Sequence, residues 1–121
     1  MEVLQVQEYK GKKIIYMDFS SANCERRLVL PKLEELKSFM DSQAPNSALT
    51  LVNVEGLVFS SDILKAFKEF TEHNKAYVKA GAVLGIKGIQ KIAYDAVMKF
   101  SVRQLPIFDT IEEAKEWLVQ Q

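Results

Sequence analysis

The chain has 121 residues, of which 48% are hydrophobic and 26% charged, the size and balance of one globular domain that can bury a core without disulfides or structural metals. Its 16 basic and 16 acidic side chains cancel, which removes any general attraction to nucleic acid or anionic lipid. No run of about 18 apolar residues or signal-peptide core is present and the single cysteine, Cys24, has no internal partner, so a cytoplasmic protein without a membrane span is expected.

Residues 2–8 and 13–19 read as strands on either side of Tyr9-Lys10-Gly11-Lys12, where Gly11 can adopt positive φ in a tight turn. An antiparallel hairpin is predicted. After a polar break at 20–23, Val29, Leu33, Leu36 and Met40 share one helical face, and Pro31 places the start of the main helix there, because proline is tolerated in a first turn and not in an interior. Ala44-Pro45-Asn46-Ser47 ends it.

From Leu49 onward a short apolar run, a turn and an amphipathic helix recur. Strand 49–54 alternates Leu49, Leu51 and Asn53 with Thr50, Val52 and Val54, so both faces are largely apolar, as in a central strand. Loop 55–59 leads to Ser60, Ser61 and Asp62, which carry helix-capping chemistry, before a helix with Ile63, Leu64, Phe67 and Phe70 on its inner face. Strand 77–86 turns through 85–88 into a helix predicted to point Ile89, Ile92, Ala93, Ala96, Val97 and Phe100 inward. Strand 105–108 and helix 111–119 close the chain, with Thr110 and Glu113 spaced as a capping box. The predicted order is ββαβαβαβα, an α/β fold in a single domain. Its sheet is five-stranded and mostly parallel, with an antiparallel amino-terminal edge strand and about four helices.

Three segments, YKGKKIIYMDFS at 9–20, HNKAYVKAGAVLGIKGIQKIAYDAVMKFS at 73–101 and IFDTIEEAKEWL at 107–118, resemble bacterial SpoIIAA-like domains of the STAS superfamily, kin to the CRAL-TRIO lipid-binding fold. The closing Phe108-Asp109 before an EEAxxWL helix is the most specific part. The resemblance implies a βα superhelix working as a noncatalytic binding or regulatory module through protein contacts, or as a carrier of a small apolar or lipid-like ligand. It also implies a phosphorylatable serine where a central strand passes into its helix, a position held here by Ser60 and Ser61. The family's Asp-Ser-(Ser/Thr)-Gly turn is absent, since the chain reads VEGLVFSSDIL with Gly56 ahead of the serines. Helix capping is therefore favoured over a switch.

A singly wound superhelix puts its helices on one side of the sheet, so the second apolar face of strand 49–54 requires cover. A partner subunit or a helical insertion is expected to supply it, which makes a protein partner or homo-oligomer an expectation. Ligands of open α/β sheets gather beyond the carboxyl ends of parallel strands. Here that rim carries Asp18, Ser20 and Ser21, residues 55–61, Gly85, Lys87 and Gly88, and Asp109. A small apolar or anionic ligand fits such a rim through Lys87 and neighbouring amides. The glycines lack the spacing of a phosphate or dinucleotide loop, so a plain turn is the stronger assignment.

Catalytic constellations are weak. Cys24 beside Arg26 and Arg27 is a candidate lowered-pKa thiol, but the only base of its kind, His73, falls at the carboxyl end of a surface helix. Glu34, Glu35, Glu69, Glu72, Glu112, Glu113 and Glu116 alternate with lysines as solvated surface, and Asp95 is placed to pair with Lys99. No catalytic residues, metal ligands or cofactor are predicted. A small enzyme of unknown reaction is the last alternative.

Overall fold

Lys10 (φ 49°) and Gly11 (φ 80°) both take left-handed backbone conformations, the geometry of a two-residue type I′ turn whose twist matches that of the strands it joins. The turn connects β1 (Leu4–Tyr9) to β2 (Lys12–Asp18) as an antiparallel pair in a computed structural model that describes residues 2–101 and 104–121. A 3-10 turn at Arg26–Leu28 precedes α1 (Val29–Met40). That helix begins two residues before Pro31, which still lies in the first turn where its missing N–H is not needed.

β3 (Ala48–Asn53), α2 (Ser61–Asn74), β4 (Val78–Leu84), α3 (Gln90–Met98), β5 (Ile107–Phe108) and α4 (Ile111–Leu118) follow. The sheet runs β1-β2-β3-β4-β5, antiparallel between the first two strands and parallel thereafter. Strands added in one direction by right-handed crossovers keep their helices on one face. Val29, Leu33 and Met40 of α1, Ile63, Phe67 and Phe70 of α2, and Tyr94 and Val97 of α3 accordingly share one core with Ile15, Met17 and Val83.

The other face is not left for a partner or an insertion, as expected from the sequence. Ala114 and Leu118 of α4 are fully buried on it, against Ile14, Tyr16, Leu49, Leu51, Ala80, Ala82 and Leu84. After β5 at the sheet edge, α4 folds back beneath β3 and β4. Phe108 and the half-buried Trp117 pack at a centroid distance of 5.9 Å at its margin, and Glu116 accepts hydrogen bonds from the Tyr9 hydroxyl (2.6 Å) and from Lys10. Glu116 thus ties α4 to the hairpin rather than lying free in solvent. Thr110 caps α4 as predicted, its hydroxyl accepting from the Glu113 amide at 3.2 Å.

α3 is turned from its predicted phase. Ile89 and Ile92 are 83% and 71% exposed and Phe100 lies outside with Lys68 over its ring, while Ala93, Tyr94 and Val97 point in. The cause is Gln90, whose Nε2 donates to the Val54 and Leu57 carbonyls (2.8 and 3.0 Å) and whose Oε1 accepts from the Lys87 amide. Pinning Gln90 inward selects the residues three, four and seven positions later as the inner face. Asp95 pairs at 2.8 Å with Lys91, one turn before it, rather than with the predicted Lys99 one turn after it. Among the described residues no helix is long and apolar enough to cross a membrane.

Candidate functional site

Between the helix-facing side of β3 and β4 and the helices α2 and α3 lies a cavity of about 150 Å³. Its walls include Phe67 and Phe70 of α2, Tyr94 and Val97 of α3, Val52 and Val83 of the sheet, and Phe59 from the approach to α2. It persists because the sheet beneath it is thin in side-chain volume. Gly81 is the register partner of Thr50, and a Cβ built on Gly81 would stand 2.9 Å from Thr50 Oγ1 and 3.2 Å from Leu105 Cδ2. Its volume is that of a benzene-sized guest.

The aromatic walls are held from behind. Phe67 meets Phe19 and Phe59 edge-on at 5.3 and 5.4 Å, an arrangement that places ring hydrogens against ring faces. Tyr94 donates its hydroxyl to the Leu105 carbonyl, and burial raises its pKa. That phenol is therefore spent on the backbone. Phe59, Phe67, Phe70 and Tyr94 line the cavity, and Phe100, which periodicity predicts to point inward, does not.

Polar side chains also border the cavity, among them Thr71, Asn74, Lys75 and Lys79. Asn74 ends the inner stripe of α2 after Ile63, Phe67 and Phe70, is 6% exposed, and has its Oδ1 buried without a hydrogen-bond partner among the described residues. Sequence reasoning passed over it, although an asparagine seven residues after Phe67 on an otherwise apolar stripe was a usable signal.

The carboxyl-end rim forms a separate, smaller cleft of about 120 Å³ on the α4 side, lined by Asn53, Glu55, Gly85, Lys87, Phe108 and Asp109 among others. Gly85 needs its positive φ (86°), and a Cβ there would stand 2.5 Å from the Glu55 backbone nitrogen. Asp18, Ser20, Ser21 and Gly88 do not line the cleft. The Asp18 carboxylate accepts from the Ser20 amide at 3.0 Å, the Ser20 carbonyl accepts from Asn23 and Cys24, and the Ser21 amide donates to Glu55, so this segment closes a turn. Nearby Tyr16 accepts from Asn53 Nδ2 at 3.1 Å, and burial raises the pKa of its hydroxyl.

Ser60 is the N-cap residue of α2, but its side chain caps no amide. Its hydroxyl donates to the Asp62 carboxylate, which also accepts from the Ile63 amide at 2.9 Å, and these bonds lower the Asp62 pKa. A phosphate on Ser60 would stand beside that carboxylate. Ser61, the first helical residue, is exposed.

Cys24 is 5% exposed, and burial raises its thiol pKa, the opposite of the expected activation. It follows β2 at the carboxyl edge of the parallel strands, whereas His73 precedes β4 at the amino edge, with Nε2 2.9 Å from Asp41 Oδ1 and its ring beside Tyr77. The two do not meet. Among the described residues no group of three or more His, Cys, Asp or Glu side chains is gathered as metal ligands. No protein-family model, curated protein or solved structure matches the chain.

Proposed function

We propose that this protein is a noncatalytic binding domain of the STAS type its sequence resembles, and that it holds a small apolar molecule between its sheet and helices α2 and α3. The observation that carries this is the cavity of about 150 Å³ walled in large part by aromatic and aliphatic side chains, large enough for a single ring and rich in apolar contact area. The separation of Cys24 from His73 supports the noncatalytic part. Methyl-resolved NMR titration with toluene is the test. Shifts concentrated on Val52, Val83 and Val97, with a raised melting temperature, are expected; an unchanged spectrum at saturating toluene rejects the proposal.

A protein-docking module is the second reading, favoured by Val58 (61% exposed), Ile89 and Ile92, which flank the amino ends of α2 and α3. Light scattering of the wild type and Ile89→Asp/Ile92→Asp checks docking to a second copy. A dimer that the variant dissolves supports it, and a monomer in both excludes it.

A further inference from the structure

Burial divides the lining of the cavity in two. Phe67, Phe70, Tyr94 and Val97 are buried, whereas among the described lining residues only Asn46, Lys75 and Lys79 are exposed. These three belong to the segments that enter β3, leave α2 and open β4, and the Asn46 amide donates to the Ala76 carbonyl at 2.9 Å, which joins two of them. The cavity therefore meets solvent at the amino edge of the parallel strands. An irregularity of the ladder turns Lys79 toward that mouth. Ala48 pairs with Val78 and Leu49 with Ala80, so Lys79 is an extra residue in β4, the arrangement by which a β-bulge redirects a side chain. Counting back in twos from Val83 and Gly81 puts Lys79 on the helix-facing side of the sheet, and Val78 packs against that same core.

Lys75 is paired with Glu72 at 2.9 Å. Lys79 forms no ion pair among the described residues, and none of the described residues lining the cavity is an aspartate or glutamate. A cation without a counter-ion at the mouth of a largely apolar cavity complements a guest with an apolar body and an anionic head, because a few placed polar groups fix the orientation of a molecule held mainly by apolar contact. Resting on the ligand-binding proposal above, we infer that the guest is a small apolar monocarboxylate, its body against Phe67 and Phe70 and its carboxylate at Lys79. A single negative charge matches the one cation left uncompensated.

Toluene and 4-methylbenzoate share a methyl-bearing ring and differ by the carboxylate, so they separate the two proposals when titrated calorimetrically into wild type and Lys79→Met. 4-Methylbenzoate is expected to bind the variant about fivefold more weakly than the wild type, the equivalent of one partly exposed ion pair, while toluene binds both alike. In the wild type, both probes should shift the Val97 methyl resonances and 4-methylbenzoate alone should shift those of the Lys79 ε-methylene, a readout that does not depend on the variant. If toluene binds but 4-methylbenzoate fails to distinguish the variant, to shift Lys79 or to shift Val97, the carboxylate assignment is overturned and the cavity proposal stands. If toluene leaves the wild type unchanged, both are overturned.

Discussion

Thr50 and Gly81 face each other across the β3–β4 ladder, and the hydrogen that Gly81 carries in place of a side chain leaves open the floor of the cavity beneath α2 and α3. Filling that floor is a direct test of its purpose. Gly81→Ala is expected to cost about 1 to 3 kcal/mol through overpacking against Thr50 and Leu105, and to abolish toluene binding. A chemical denaturation curve and the toluene titration together check both parts.

Leu118 is completely buried on the second face of the sheet, where α4 does the work expected of a partner. Leu118→Ala should lower the unfolding free energy by about 2 to 5 kcal/mol, measured by urea denaturation. A much smaller loss would mean that α4 contributes little to covering this face.

The cap on α4 is a smaller contribution. Thr110 accepts from the Glu113 amide, and Thr110→Ala should cost about 1 kcal/mol, with Thr110→Ser losing much less. Thermal melts of the three proteins resolve this.

Glu116 makes stability pH-dependent. Hydrogen bonds from Lys10 and then Tyr9 hold its carboxyl below the ordinary value of 4.5. Because the folded pKa is depressed, the stabilising contribution is present above 4.5 and is lost as pH falls toward and through the folded value. Glu116→Gln should therefore show a flatter decline of the urea midpoint on acidification than the wild type. Parallel slopes would remove this link between α4 and the hairpin.

Gly85 combines a left-handed backbone with close approach to Glu55. Gly85→Ala should destabilise by more than about 1 kcal/mol, whereas Gly88→Ala meets only the backbone penalty, since nothing lies within 4 Å of its added Cβ. Comparing the two by denaturation separates steric from conformational cost.

The order of elements, the hairpin, the cap at Thr110 and the apolar stripe of α2 were legible in the residues, because each depends on neighbours within a few positions along the chain. The phase of α3 was not. Ile89 and Ile92 look like core residues by periodicity, yet hydrogen bonds from Gln90 to Val54 and Leu57, over thirty residues away, rotate them outward. The candidate rim was only partly recovered: Gly85 and Lys87 line its cleft with Glu55 and Asp109, while Asp18, Ser20 and Ser21 are engaged in a turn.

By itself the sequence determined which segments are strands and helices and that β3 must be buried on both faces, since alternation and helical spacing are local records of where apolar side chains point. Only the tertiary structure decided that α4 covers the second face and that Phe59, Phe67, Phe70 and Tyr94 leave a cavity beside them. It also decided that Asn74 Oδ1 is buried without a hydrogen-bond partner among the described residues. Packing, unlike periodicity, depends on how side-chain volumes and hydrogen-bonding groups from distant segments fit together.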